Sequence, residues 1–507
     1  MGAETRRQIE EGRAAAAALM RGGRTGLAGF RHPALPLSWI AFDAEVRDTH
    51  SPWRPGPRAA DPIEIRLCHP DGRVREAALA VPRAPLPLVV IRCADWAPAV
   101  RERARQVLAG ALAADPAHTL IDLTPLVLRL ARREQGTWAR DLFEGALRGD
   151  PVPAPWWRPA RPARPGQWWR PARAARTMTG EEPDTVLAWL RRSGDLPTRR
   201  FATRLTLDSG LFGVRELARR AGEERDPATA LVWADAALAA LAADGPDDEA
   251  VDSLLRGHIP MVRAGGVTAL RGAGRAAEAA DHLADRSGLV RACARWLVRQ
   301  DGGDPHALCR ALVEDPDRVT PYAVAGFAEC ARHADAPLLR ALLERSGQGS
   351  GALRAAAVAG LRALDADDAE LLRPLLDDPS PAVAREASLS LAPPAGQLPV
   401  AWLTARIAPG LPLHTRRAAY RVLHARGGID ALRASVELLT DPDPGLRRVA
   451  AQRVQSLWSP GRPPALPLGD PEVGALLDRC TGLFGEYVMG RMRSQLGIPR
   501  APHDAIG

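Results

Sequence analysis

Lysine is absent from this sequence of 507 residues, so arginine supplies all 68 basic side chains. Against 60 acidic residues they give a formal net charge of +8. Exclusive use of Arg, beside abundant Ala, Gly and Pro, indicates a bacterial, GC-rich genome. Because Arg has a high pKa, this usage raises the isoelectric point whatever the protein binds. The overall charge is therefore a weak indication of nucleic-acid binding, and its distribution along the chain matters more.

Residues that could hold a metal or cofactor are few and scattered. No Cys-x-x-Cys pair occurs, no His pair has zinc-ligand spacing, and the glycine-rich stretch 265–279 lacks the lysine of a phosphate loop. We expect no metal, no cofactor and reduced cysteines that serve packing in a cytoplasmic protein. The cysteines are Cys68, Cys93, Cys293, Cys309, Cys330 and Cys480.

Long hydrophobic runs are also lacking. Residues 84–91, about the longest such run, contain two prolines and are far fewer than the roughly 18 apolar residues that cross a membrane. The N-terminus places acids after Arg6 and Arg7 where a secretory signal would have an apolar segment. These absences predict a soluble, cytoplasmic protein with no membrane span.

A repeat of about 31 residues is present along most of the chain. Each copy has a turn, an anchor residue and, four positions after the anchor, Ala or Gly. Residues four apart share a helix face, so the small residue lets a neighbouring helix approach closely. We predict one helical hairpin per repeat. The anchors and small residues are Thr198 and Ala202, Ala230 and Ala234, Val262 and Gly266, Val290 and Ala294, Tyr322 and Gly326, Leu353 and Ala357, Val383 and Ala387, Thr415 and Ala419, and Leu446 and Ala450.

An aspartate stands five residues before several anchors, where it is placed to cap the second helix of its hairpin. For Asp95 this predicts only a modest loss of stability on replacement by Asn. The aspartates in this position are Asp95, Asp285, Asp317, Asp378 and Asp441.

The turn Asp, the anchor and the arginine after it resemble the HEAT-repeat family, including its short bacterial repeats of phycobilisome-lyase type. The likeness extends over residues 195–457 and is weaker before 150, around the anchors Val74 and Val100. It implies an all-α, right-handed solenoid in which Asp and Arg side chains form a ladder between layers, and it implies no activity. The matching arginines are Arg263, Arg291, Arg354, Arg416 and Arg447.

Proline-rich joints suggest the domain organisation. We expect an N-terminal helical portion over 1–149, a linker or arm over 150–180 and the main solenoid over 181–458. A C-terminal segment, 459–507, contains a further linker and a predicted helix over 471–496 that caps the stack.

The arm concentrates the net charge, because residues 151–176 contain six arginines and no acid. Arginine on phosphate and tryptophan on bases would bind a polyanion, whereas a packed linker would place the indoles on the adjacent helices. Its P-x-x-P units could also dock in an aromatic groove. The candidate binding residues are Trp156, Trp157, Arg158, Arg161, Arg164, Trp168, Trp169, Arg170, Arg173 and Arg176.

No catalytic constellation is present, and we expect a non-enzymatic scaffold that binds a protein partner on its concave face. The alternative is a nucleic-acid binder that uses the arm. A nucleic-acid binder of this kind could also be an enzyme, since some DNA glycosylases that remove alkylated bases consist of HEAT-like repeats. These use an Asp near Trp residues, and Asp95 beside Trp96 is a superficial match.

Overall fold

The computed structural model describes residues 3–21, 35–49, 61–82, 84–151, 182–345, 351–456 and 465–499. In these ranges the chain forms α-helices and short 3₁₀ helices, and no β-strand. The prediction of an all-α protein is confirmed. The chain divides into two compact units, Met1–Val262 and Arg263–Gly507.

Among the described residues, thirteen α-helices, α1 to α13, lie wholly within the first unit. They are Ala3–Met20, Pro36–Thr49, Ile63–Leu67, Gly72–Leu79, Leu86–Arg92, Pro98–Ala114, Pro116–Leu130, Thr137–Leu147, Glu182–Arg191, Leu196–Asp208, Val214–Glu223, Pro227–Asp244 and Asp248–Leu255.

The helix α14, Pro260–Gly272, begins at the boundary, and α15 to α27 belong to the second unit. They are Gly288–Gln300, Pro305–Glu314, Pro321–Ala328, Ala336–Arg345, Gly351–Ala363, Ala369–Leu372, Pro381–Ser390, Val400–Ala405, Leu413–Arg426, Gly428–Glu437, Pro444–Ser456, Pro471–Asp478 and Glu486–Gln495. Its 3₁₀ helices are Ala276–His282, His333–Asp335, Arg373–Asp377, Ala395–Gln397, Leu438–Thr440 and Thr481–Leu483.

Proline after a capping side chain starts many of these helices. The ring sets φ for the first helical residue and removes an N–H that would have no partner there. In α10 the proline stands one residue later, at Pro197, and Asp195 accepts a hydrogen bond from the Thr198 N–H at 3.1 Å. In α12, Asp226 accepts one from the Thr229 N–H at 3.0 Å.

The small residues of the repeat all lie buried in helices. At Gly326 the reason is direct, since a Cβ atom there would lie 2.3 Å from the Leu283 carbonyl oxygen. In the second unit α17 packs against α19, α19 against α21, and α21 against α23, so alternate helices contact one another in succession.

The predicted anchors are buried except Val74 and Leu353, which are half-buried, and Tyr322, which is exposed. The prediction at Tyr322 is wrong because its turn is one residue longer. Helix α17 starts four residues after Asp317, whereas α21 starts three residues after Asp378. The extra residue places Ala323, and not Tyr322, on the buried face.

The predicted capping role of the turn aspartates needs correction. Four of these aspartates accept a hydrogen bond from the backbone N–H two residues later, at 2.7 to 3.0 Å. That N–H lies before the first helical turn, so the bond stabilises the turn and does not cap the helix. These four are Asp95, Asp285, Asp378 and Asp441. At Asp317 the prediction is wrong, because Thr320 caps α17 by accepting from the Ala323 N–H at 3.0 Å.

Helices on the two sides of residues 150–180 share one hydrophobic core in the first unit. Leu126 and Leu130 of α7 belong to the same buried cluster as Leu187 and Leu190 of α9. Arg129 pairs with Asp195 at 2.8 Å, which joins α7 to the residue that caps α10.

At the C-terminus, the single helix predicted over 471–496 is instead two helices, α26 and α27. Gly482 and Gly485 lie between them, and glycine favours the interruption of a helix. Leu477 and Met492 join Leu432 of α24 and Val454 of α25 in one buried cluster.

Among the described residues, α12 is the one helix long and apolar enough to cross a membrane. Only 28% of α12 is buried. Trp233 and Ala237 are among the buried residues that hold α12 against α11. In the sequence, Asp235 divides the apolar residues of α12 into two shorter runs.

Candidate anion-binding cavity

All of the candidate binding residues in the arm, from Trp156 to Arg176, lie outside the described residues. The other residue that the sequence singled out, Asp95, lies in the first unit and is 4% exposed. Trp96 beside it is 71% exposed.

Both carboxylate oxygens of Asp95 are held by arginine. The guanidinium of Arg75 donates to them at 2.7 and 2.9 Å, and Arg92 donates to Oδ2 at 3.1 Å. Arg92 also pairs with Asp43. Burial is the largest effect on Asp43 and raises its pKa, although Arg47 acts in the opposite direction. This cluster ties α2, α4 and α5 to the turn before α6.

The same kind of pair recurs between successive repeats in the second unit. Arg263 donates to Asp285 with both nitrogens at 2.9 Å, and Arg354 donates to Asp378 at 2.8 Å. Arg416 pairs with Asp441, and both are buried. Arg291 instead pairs with Glu329. These arginines are neutralised within the fold, so they are not available for a ligand.

A different group of arginines surrounds a cavity of about 380 Å³ in the first unit. Helices α9, α10, α11 and α12 contribute its walls, together with the turn between α11 and α12. The lining residues are Ala188, Arg191, Arg192, Arg199, Thr203, Arg219, Arg220, Glu223, Glu224, Arg225 and Trp233. Six arginines and two glutamates give this lining a clear excess of positive charge.

Three of these arginines are neutralised by carboxylates. Arg199 pairs with Glu224 at 3.1 Å, and Arg220 pairs with Glu216 at 2.8 Å. Arg219 pairs with Glu216 at 2.8 Å and with Glu223 at 2.6 Å. Ion pairing lowers the pKa of Glu216, where the hydrogen bond from Arg219 is the largest cause.

The other three arginines have no carboxylate ion pair among the described residues: Arg191, Arg192 and Arg225. Arg192 and Arg225 are exposed, so water solvates them. Arg191 is half-buried, and its guanidinium donates to the Thr206 hydroxyl. Burial, followed by the positive charge of Arg220, lowers the pKa of Arg191 to about 10, although the charges of Asp184 and Glu216 act in the opposite direction. Arg191 therefore carries its charge in an unfavourable place.

Aromatic rings hold the cationic wall in position. The guanidinium carbon of Arg191 lies 5.6 Å from the ring centre of Phe212, and that of Arg220 lies 4.4 Å from it. Arg220 also lies 5.5 Å from the Trp233 ring centre. Cation–π contacts of this kind restrict the planar group and stabilise it by about 0.5 to 2 kcal/mol each.

A buried hydroxyl completes the lining. Thr203 is 2% exposed, and its Oγ1 has no hydrogen-bond partner in the described part of the chain. Buried polar groups normally have partners, so an unpaired hydroxyl beside a cavity marks a position where a ligand atom or water can bond.

Metal-ligating groups do not converge in the described ranges, where no cluster of three or more His, Cys, Asp or Glu could hold an ion. All six cysteines are free, and burial raises the pKa of the Cys93 thiol. The residues that line the cavity offer charge, hydrogen-bond donors and an aromatic ring.

Neither protein-family models nor curated proteins match this chain.

The cavity could not be predicted from the sequence, because its arginines resemble those of solvated helix faces. The stretches "WLRRSGD" and "ELARRAGEER" contain acids as well as bases, so neither has a strong local excess of charge. The one signal in the sequence is that Phe212 and Trp233 stand near these arginine stretches. Whether the rings contact the arginines depends on how four helices pack.

Replacing Arg191 by Met should raise the melting temperature of the unliganded protein. At pH 7 the guanidinium is charged in both the folded and the unfolded chain, so the cost of burying that charge is fully present. Methionine keeps the apolar contact and removes the charge. Differential scanning calorimetry should show a rise of about 1 to 3 °C.

Arg200→Met is the matched control for this prediction. Arg200 pairs with the buried Asp226 at 2.7 Å, and this pair lowers the pKa of Asp226. Its loss should therefore lower the melting temperature. If both substitutions lower the melting temperature, the buried charge of Arg191 does not destabilise the folded protein.

Proposed function

We propose that this chain is a right-handed α-solenoid of HEAT-like hairpins that acts as a non-enzymatic scaffold and binds a protein partner on its concave face. Support comes from the buried small residues of the repeat and from the Arg–Asp pairs between successive turns. Asp95 fits this proposal as a structural residue, since arginine holds both of its oxygens.

The arginine cavity supplies the chemistry of recognition. The main support for this role is the half-buried guanidinium of Arg191, which has no carboxylate ion pair among the described residues. An acidic side chain of a partner would neutralise this charge and form a bidentate, charge-assisted hydrogen bond. The ligand of the cavity is therefore an acidic segment of a protein.

Binding of a fluorescein-labelled peptide of alternating Glu and Gly tests this function. Fluorescence anisotropy should show saturable binding to the full chain that weakens as salt is raised. The variant Arg191→Met/Arg192→Gln/Arg225→Gln should bind at least about tenfold more weakly, because it loses three cations around one anion.

A charge-matched control is Arg132→Gln/Arg204→Gln/Arg256→Gln, which removes three exposed arginines from the same unit. It should bind the peptide as the unchanged chain does. Equal weakening in both variants would mean that binding depends on net charge and not on the cavity.

The arm favours a second function, nucleic-acid binding, because residues 151–176 contain six arginines and no acid. In that case single-stranded DNA should bind with a steep salt dependence. Replacing the six arginines of the arm by Gln should then abolish DNA binding and leave peptide binding intact. Arm-dependent binding to DNA without any binding to the acidic peptide would replace the scaffold proposal.

A further inference from the structure

The cavity presents more positive charge than one carboxylate can neutralise. Arg191, Arg192 and Arg225 line it without carboxylate ion pairs among the described residues. A Glu or Asp side chain carries a single negative charge and two oxygens. A phosphate monoester carries about 1.5 to 2 negative charges at pH 7 and three acceptor oxygens.

The donors also differ in kind. Arginine offers planar pairs of N–H groups, which match two oxygens of a tetrahedral phosphate as well as those of a carboxylate. The Thr203 hydroxyl adds a donor that has no bond in the described structure. A carboxylate has two oxygens to share among Arg191, Arg192, Arg225 and this hydroxyl, whereas a phosphate monoester has three.

The arginines have separate tasks. Arg191 is restrained by Phe212 and Thr206, so it loses little conformational freedom when it binds an anion. Arg192 and Arg225 are exposed and can move towards a bound group. Arg199 and Arg219, held by Glu224, Glu216 and Glu223, shape the wall.

We propose that the cavity binds a phosphorylated side chain within the acidic segment, with Arg191 as the fixed contact and Arg192 and Arg225 closing on the same phosphate. This inference rests on the proposed function, because it assigns a phosphate to the protein segment that the cavity binds. It makes phosphorylation of the partner a condition of tight association.

Three peptides of alternating Glu and Gly test this inference. They differ only at one central position, which is phosphoserine, Glu or Ser. Isothermal titration calorimetry with the full chain should show the phosphoserine peptide binding at least about tenfold more tightly than the Glu peptide. Arg191→Met should remove this difference. Thr203→Val, which keeps the shape of the side chain, should weaken binding of the phosphoserine peptide by about threefold to tenfold.

The outcomes separate this inference from the function it rests on. Equal affinity for the phosphoserine and Glu peptides would overturn the inference and leave acidic-segment binding in place. No binding of either peptide would overturn both. Free phosphoserine that competes as tightly as the phosphopeptide would also overturn the inference, since the ligand would then be a small phosphate ester.

Discussion

An Asp95→Asn protein should unfold with a free energy about 3 to 5 kcal/mol lower than the unchanged chain, because breaking a buried ion pair leaves its partner charges without compensation. The carboxylate of Asp95 faces Arg75 and Arg92, both of which are 1% exposed or less. Asparagine has almost the same shape and still accepts from the Ala97 N–H, but it leaves these guanidinium groups with excess charge. The effect is therefore electrostatic and goes well beyond the modest loss that a weakened cap would give.

Urea denaturation followed by circular dichroism measures this effect, and Asp208→Asn serves as the control. Asp208 pairs with Arg148 at 2.8 Å, but both side chains are nearly half exposed. Its replacement should cost about 0 to 1 kcal/mol. A loss of less than about 1 kcal/mol at Asp95 would contradict the buried-pair account and support the simple capping account.

Ala387→Trp should destabilise the second unit by about 3 kcal/mol, at the upper end of what overpacking typically costs. Ala387 is fully buried on α21, where it belongs to one core with Leu391, Ala419 and Tyr420. An indole has no room at this contact, so α21 would have to separate from a neighbouring helix.

The matched control is Ala382→Trp, one and a half turns earlier on the same helix, where the side chain is exposed. It should change the free energy of unfolding by less than about 0.5 kcal/mol. A melting transition that is equally unaffected in both variants would show that the small residue is not needed for close helix packing.

The architecture could largely be predicted from the sequence because its causes are local. A helix places residues four apart on one face, so the Ala or Gly after each anchor marks a close contact before any partner is known. The aspartates of the turns precede helices for a similarly local reason. Even here one inserted residue before Tyr322 was enough to turn the predicted anchor to the surface.

The charges required the tertiary structure, because the sequence does not tell a neutralised arginine from one without a carboxylate partner. Arg416 and Arg191 each stand directly before a second arginine, Arg417 and Arg192. Packing brings Asp441 to Arg416, 25 residues away, whereas it places Arg191 beside the Thr206 hydroxyl, the Phe212 ring and the Arg220 cation. Whether a charge is compensated depends on groups distant in sequence and on burial, so the cavity was decided by how α9 to α12 pack and not by their residues alone.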